Sequence, residues 1–180
     1  MHVYTSMIAF VVILFFGITG ITLNHPSWTF GGAGSITSET GTLPSGWNSD
    51  PVDFLAVTEY VRTTYGVGAP VSSYSNTPGE GTISFRSPGY GADLFFSTTD
   101  GSFELNIEQA GFLGVMNDLH KGRDSNSAWK WLIDVSGGFL VVVALTGLGI
   151  QLLLRKRRTR AVTFAVAGLA LTIVFIVLTT

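Results

Sequence analysis

Two apolar runs near the C-terminus, Val135–Leu154 and Ala161–Leu178, are separated only by the residues RKRRTR. Each run approaches the roughly 20 residues that a helix needs to cross the hydrocarbon core of a bilayer. A third apolar run, Met7–Leu23, lies in an N-terminal stretch without any charged side chain. A signal peptide is the competing interpretation of this third run, but no Lys or Arg precedes it and no A-x-A site follows it. The sequence therefore predicts three transmembrane helices, over residues 1–24, 135–154 and 161–180.

The basic residues predict the orientation of these helices. Five of the ten Lys and Arg residues lie in the short segment 155–160, and basic residues in short loops between membrane helices face the cytoplasm. We therefore expect this loop and the N-terminus to be cytoplasmic, and Asn24–Lys130 to lie outside. Trp28, Trp129 and Trp131 would then fall at the outer membrane interface, which suits the amphipathic indole ring.

Composition excludes several classes of function. Only 12% of the residues are charged, whereas about a quarter are charged in a typical soluble domain. The segment Asn24–Asp134 holds five basic and twelve acidic side chains, and its net charge of -7 would repel nucleic acid. The chain contains no cysteine, so disulfides, cysteine-ligated zinc, iron–sulfur clusters and thiol nucleophiles are excluded.

The segment between the first two apolar runs has the pattern of an α+β domain. Residues 25–49 form a Gly/Ser/Thr-rich connector with one short strand near Ser35–Leu43. A helix is predicted from an N-cap at Asp50 to a stop at Gly66. Four antiparallel strands should follow it, over Val71–Ser75, Thr82–Arg86, Tyr90–Ser97 and Ser102–Ile107. A second helix is predicted over Glu108–Lys121. The predicted domain spans residues 50–121, and an outer-interface segment, 122–134, follows it. Alternation predicts these inward residues: Ile83, Phe85, Leu94, Phe96, Phe103, Leu105 and Ile107.

Three segments of the chain resemble the bacterial PepSY-associated transmembrane-helix family. They are HVYTSMIAFVVILFFGITGITLNHP, the LHKGRD at Leu119–Asp124, and WKWLIDVSGGFLVVVALTGLGIQLLLRKRR. The paired Thr19-Gly20 and Thr146-Gly147 motifs, and the domain pattern with its Ser-Pro-Gly break, add to the likeness. The resemblance implies a PepSY-like periplasmic domain held in the bacterial inner membrane. Related proteins are tied variously to siderophore-iron reduction with b-type haem, to flavin-linked electron export and to modulation of secreted peptidases, so the family fixes no single activity.

Histidines supply the chain's imidazole ligands, and two of them are expected at the outer membrane surface. His25 follows the first apolar run and His120 precedes the second. They could converge as axial ligands of one haem b, with Phe15, Phe16, Trp28 and Trp129 covering its edges. The favoured interpretation is structural: His25, in Asn-His-Pro, caps a helix end, and His120 meets lipid headgroups beside Lys121 and Arg123.

Two further groups of residues are assigned to the membrane. Small residues in the apolar runs let helices approach closely. The predicted helix-packing residues are Gly17, Thr19, Gly20, Gly138, Thr146, Gly147 and Gly149. The predicted membrane-interface residues are Trp28, Lys121, Arg123, Trp129, Lys130, Trp131, Arg155, Lys156, Arg157, Arg158 and Arg160.

The chain carries no H-E-x-x-H, G-x-S-x-G or Walker signature. We therefore expect a non-catalytic accessory subunit that docks, through its membrane helices and its external domain, onto a larger redox or energy-transducing membrane complex. Its partners would be membrane proteins and the lipid bilayer. Two alternatives stay open, a haem-carrying electron-transfer subunit for iron-siderophore or flavin reduction, and a membrane-tethered modulator of a peptidase.

Overall fold

The computed structural model describes residues 2–29, 32–48, 51–154 and 158–179. The chain divides into two units, Met1–Lys130 and Trp131–Thr180, which are described separately. The helices are α1 His2–Leu23, α2 Phe54–Tyr65, α3 Phe112–Lys121, α4 Ser127–Leu153 and α5 Arg158–Thr179. The strands are β1 Ser35–Thr42, β2 Val71–Thr77, β3 Glu80–Ser87, β4 Tyr90–Ser97 and β5 Ser102–Gln109.

The strands form one antiparallel sheet in the order β1-β5-β4-β3-β2. Strands β2 to β5 make the predicted meander, in which Ile83, Leu94 and Leu105 lie side by side on adjacent strands. The strand expected near Ser35 is β1, which pairs with β5 along its whole length. Both β1 and β2 are therefore edge strands, each paired on one side only.

One face of the sheet carries the hydrophobic core. Of the seven residues predicted to point inward, all are buried except Ile107, which is partly buried against the same cluster. Helix α2 covers this face with Val57 and Val61, whose side chains are almost fully buried. The opposite face alternates as expected for a sheet with one solvated side, and it is polar except for the exposed ring of Phe95. The predicted α+β class with an antiparallel sheet is confirmed.

Helix α2 starts later than predicted. The predicted N-cap, Asp50, lies outside the described residues, and the structure assigns the cap to Asp53, whose carboxylate accepts a hydrogen bond from the Ala56 amide at 3.0 Å. Pro51 therefore precedes the helix instead of standing in its first turn. The helix ends at Gly66, as expected, in the left-handed conformation that glycine favours (φ 69°).

Helix α3 is also shorter than predicted. The sequence pattern placed its start at Glu108, but β5 continues through Gln109, which pairs with Ser35 of β1 and with Tyr90 of β4. Two neighbouring strands thus hold the backbone of these residues extended, and the helix begins only at Phe112.

Two helices are long and apolar enough to cross a membrane, α4 and α5. The apolar segment described within α1, Met7–Leu23, is shorter, so the first of the three predicted spans stays a prediction. Helix α4 begins eight residues before its apolar run, because the Asn126 side chain accepts a hydrogen bond from the Trp129 amide at 2.9 Å and caps the helix there. Most of the predicted outer-interface segment is therefore helical.

Candidate functional site

Helix α1 is attached to the domain by hydrogen bonds to α3, at a contact that we call the α1–α3 joint. Its members are Thr19 and Thr22 of α1, and Asn117 and His120 of α3. The Thr22 hydroxyl donates to Oδ1 of Asn117 at 2.7 Å, and the Thr19 hydroxyl lies 2.5 Å from Nδ1 of His120. Both threonines are only 5–6% exposed. Buried hydroxyls need such partners, so the joint fixes which face of α1 meets α3.

The hydrogen bonds of Thr19 determine which ring nitrogen of His120 carries a proton. The Thr19 hydroxyl donates to the carbonyl of Phe15 at 2.6 Å, so the same oxygen must accept from Nδ1–H of His120. The ring also makes an edge contact with Phe16, with centroids 5.1 Å apart, and its Cε1 atom lies beside Gly20. His120 is therefore packed against α1, and in a neutral ring with this Nδ1 proton the lone pair lies on Nε2.

Trp129 connects the start of α4 to this joint. Its indole Nε1–H donates to the Leu119 carbonyl of α3 at 2.8 Å, and its ring makes an edge contact with Phe15 of α1, at 6.1 Å between centroids. Trp129 is half-buried, whereas Trp131 is 67% exposed. The sequence assigned both to the membrane interface, but the structure gives Trp129 a contact role between three helices.

His25 lies just beyond the end of α1, as its helix-capping interpretation expected. Its Nδ1 atom donates to the Ile21 carbonyl at 3.0 Å, because a carbonyl oxygen only accepts. The ring stacks on Trp28, with centroids 4.2 Å apart and an interplanar angle of 17°. In a neutral His25 ring, as in a neutral His120 ring, this leaves the lone pair on Nε2, and neutral imidazole is the form that binds a metal.

Gly89, in the turn between β3 and β4, is bonded to α3 through its amide and to the residue after β5 through its carbonyl. Its amide donates to Oδ2 of Asp118 at 2.9 Å, and its carbonyl accepts from the Ala110 amide at 2.7 Å. Gly89 has a φ of 71°, and a Cβ atom added there would collide with Val115 of α3. Only glycine allows both this conformation and this approach. Helix α3 thus contacts α1 through Asn117 and His120, and the sheet through Asp118.

Beside this turn lies a cavity of about 430 Å³, which we call the sheet-end cavity. Its walls come from the start of β1, the β3–β4 turn, the end of β5 and the segment after α3. Arg86 and Asp93 form an ion pair on one wall, in which Nη2 of Arg86 donates to both carboxylate oxygens at 2.8 Å. Ser84 donates to the same carboxylate at 2.6 Å, so this pair is a fixed part of the wall.

Arg123 is the free cation of the sheet-end cavity. Its guanidinium is exposed and makes no hydrogen bond or ion pair with any residue that the structure describes, although four carboxylates also line the cavity.

The neighbouring Asp124 adopts a φ of 55°, which is rare for a residue other than glycine. Burial raises the pKa of Tyr90, another lining residue, above its ordinary value of 10.0, so its hydroxyl stays neutral at physiological pH. The cavity can accept a small group that carries both charge and hydrogen-bonding atoms.

The other sequence-predicted residues are distributed along the helices. Arg155, Lys156 and Arg157 lie outside the described residues, whereas Lys121, Lys130, Arg158 and Arg160 are exposed. Of the predicted packing residues, Thr19 belongs to the α1–α3 joint and Gly20 lies beside the His120 ring. A Cβ atom added at Gly17, Gly138, Gly147 or Gly149 would meet no described atom within 4 Å, and the Thr146 hydroxyl bonds to Val142 of its own helix.

Sequence reasoning missed Asn117, Asp118, Arg86 and Asp93. The helical spacing of α3 shows that Asn117 and His120 share a face, but the sequence does not show that α1 lies opposite. Arg86 and Asp93 become neighbours only through the register of β3 and β4, in which Ser84 pairs with Asp93.

Comparison with known proteins agrees with the resemblance noted in the sequence. Searches of curated proteins and of solved structures gave no match. A family model described as "Putative PepSY_TM-like" matches residues 1–180. The match covers α1, the sheet domain and both long apolar helices. The chain therefore belongs to the PepSY_TM-like family.

Proposed function

We propose that the chain is a non-catalytic accessory subunit of a larger redox or energy-transducing complex in the bacterial inner membrane. In this proposal α1, α4 and α5 cross the membrane, with the N-terminus in the cytoplasm and the PepSY-like domain in the periplasm. The observation that carries the proposal is the α1–α3 joint. Its buried hydroxyls attach the domain to the apolar helix α1. A partner that binds the domain would therefore also position α1, and a partner that binds α1 would position the domain.

Unfilled surfaces on the helices and on the domain support docking. The glycines at positions 17, 138, 147 and 149 leave room for the backbone of another helix to approach closely. Strand β1 has a free edge along its eight residues, and Ile36 on this strand is 74% exposed beside the sheet-end cavity. A segment of a partner could pair with this edge and place a charged group near Arg123.

Gentle detergent extraction from the native membrane, followed by native mass analysis, tests this proposal. We expect the chain to be recovered with other membrane proteins. The double substitution T19V/T22V should release these partners, because it removes both hydroxyls of the α1–α3 joint. T146V is the matched control, since the Thr146 hydroxyl bonds only within its own helix. Recovery of the chain as a free monomer that carries haem and reductase activity would reject the accessory role.

The histidine geometry favours a haem-binding electron-transfer subunit as the second candidate. Both His25 and His120 use Nδ1 as a donor, so each neutral ring would offer Nε2 to a haem iron. Phe16 contacts the His120 ring and Trp28 contacts the His25 ring, and in this proposal they would also cover the edges of the haem. A bound haem would supply one-electron transfer, and the chain's residues would orient the imidazoles and exclude water.

Absorption spectra of the purified chain, oxidised and dithionite-reduced, test the second candidate. A Soret band that H25A and H120A each abolish, and that H2A leaves unchanged, would support it. His2 is the suitable control because it stands at the opposite end of α1. A spectrum without a Soret band after expression with added haem would leave the accessory role as the better proposal.

A further inference from the structure

A second cavity, of about 520 Å³, opens between α4 and α5 near the basic loop. Its walls are Leu148 and Gln151 on α4, and Arg160, Ala161, Phe164 and Ala165 on α5. The amide of Arg158 donates to the Leu154 carbonyl at 3.0 Å, which keeps the start of α5 close to the end of α4. The cavity therefore lies where two apolar helices meet a strongly basic segment.

The end of this cavity nearest the loop is polar and has unused donors. Neither Gln151 nor Arg160 makes a side-chain hydrogen bond or an ion pair within the described ranges, and both are exposed. Arg160 is the third residue of α5 and carries a full positive charge on its guanidinium. These groups suit an anion with several oxygen atoms.

The sequence segment that forms the cavity contains no acid to neutralise this charge. Residues 135–180 contain five basic side chains and no Asp or Glu, so their net charge is +5. The nearest acidic residue in the sequence, Asp134, stands at the other end of α4. The negative charge that balances Arg160 must therefore come from outside this segment.

The other end of the cavity is apolar. Phe164 is 78% exposed and Leu148 is 50% exposed, while Ala161 and Ala165 leave the groove open between them. A phospholipid matches these two ends, because it carries a phosphate at one end and hydrocarbon chains at the other. Basic pockets between membrane helices are known to bind anionic headgroups.

We propose that this cavity binds one anionic phospholipid, with its phosphate against Arg160 and Gln151 and an acyl chain along Phe164 and Ala165. The proposal rests on the membrane location of α4 and α5, and it is independent of any partner complex. The lipid would fill the space between the two helices and hold them in one arrangement.

Native mass analysis of the purified full chain tests this site. The chain is incubated with dioleoyl-phosphatidylglycerol or with dioleoyl-phosphatidylcholine, whose acyl chains are identical, so that only the headgroup differs. We expect one retained phosphatidylglycerol and little phosphatidylcholine. R160Q should lower the affinity for phosphatidylglycerol at least about fivefold. R158Q removes the same charge from the same helix end but not from the cavity wall, and should bind as the unaltered chain does.

A second pair of variants tests the acyl chain. A165W fills the apolar end of the cavity without changing any charge and should also reduce retention, whereas A167W, two residues along and so on the opposite side of α5, should not. Circular dichroism of each variant verifies that the helices form.

Equal losses in R158Q and R160Q would reveal an unspecific charge effect and overturn the proposal. Equal retention of the two lipids, or no effect of A165W, would overturn it as well. None of these outcomes bears on whether the chain has protein partners.

Discussion

The Thr19 hydroxyl serves two hydrogen bonds at once, because it donates to Phe15 and accepts from His120. In an otherwise apolar helix such a group is costly to bury unless both bonds are made. Its position explains why a half-buried histidine is tolerated against the helix. The sequence identified Thr19 as a packing residue and His120 as a candidate ligand, but it could not pair them. They are 101 residues apart, and only the tertiary contact of α1 with α3 joins them.

We expect T19V to destabilise the contact between α1 and α3 by about 1–2 kcal/mol, because Nδ1–H of His120 loses its acceptor while the side-chain volume is kept. Hydrogen exchange of the α3 amides measures this opening free energy. T146V is the control, since it removes a hydroxyl that bonds only to its own helix. Unchanged exchange in T19V would show that the hydrogen bond does not hold the joint.

Asp100, in the turn between β4 and β5, predicts a pH effect. Hydrogen bonds from Ser97 and then from Ser102 lower the pKa of its carboxyl from 3.8 to about 2. Because the folded-state pKa is below the unfolded one, the ionised group stabilises the turn above about pH 4. This contribution is lost as the pH falls through 2. D100N keeps an acceptor for Ser102 but cannot ionise, so the stability difference between the two proteins should shrink between pH 4 and 2. Melting curves of both proteins at each pH measure it, and a constant difference would contradict the assignment.

Among the elements, the β3–β4 turn connects the sheet to a helix. Gly89 connects the sheet to α3, and α3 in turn contacts α1. A side chain at Gly89 therefore disturbs more than a turn, because it meets Val115 as well as an unfavourable backbone conformation.

G89A should destabilise the domain more than G79A does. Both glycines have positive φ values, 71° and 92°, so each substitution costs about 1–2 kcal/mol for the backbone conformation alone. Nothing lies within 4 Å of a Cβ atom added at Gly79, whereas at Gly89 the overpacking adds about 1–3 kcal/mol. Denaturant or thermal unfolding of the two variants compares them. Equal destabilisation would mean that α3 moves away from the turn at little cost.

The pattern of apolar residues predicted the elements well, and their ends less well. Alternation in β3, β4 and β5 identified the buried face, because one side of the sheet packs on α2 and the other faces solvent. The starts of α2, α3 and α4 were misplaced for local reasons. Capping by Asp53 and Asn126 set two of them, and continued pairing of Gln109 in the sheet set the third. Hydrophobic periodicity does not report such side-chain and ladder bonds.

For the whole molecule, charge is distributed along the chain in two blocks. All twelve acidic side chains lie between Glu39 and Asp134, whereas half of the basic ones lie in residues 155–160. The lengths of the three apolar runs follow directly from the sequence. The sheet-end cavity could not, because its walls come from four separate segments. The Arg86–Asp93 pair in it depends on strand register, and the position of Arg123 depends on where α3 ends.

The orientation of the chain in its membrane yields the last prediction. Basic residues next to membrane ends are retained in the cytoplasm, so the loop at 155–160 should stay inside and the acidic domain should be exported. The chain has no cysteine, so a single introduced cysteine reports its own position without background. S49C and T99C should react with a membrane-impermeant maleimide in intact spheroplasts, whereas T159C should react only after the membrane is permeabilised. Labelling of T159C alone in intact spheroplasts would invert the topology. Labelling of all three would show that the basic loop does not face the cytoplasm, and would remove the basis for placing the domain outside.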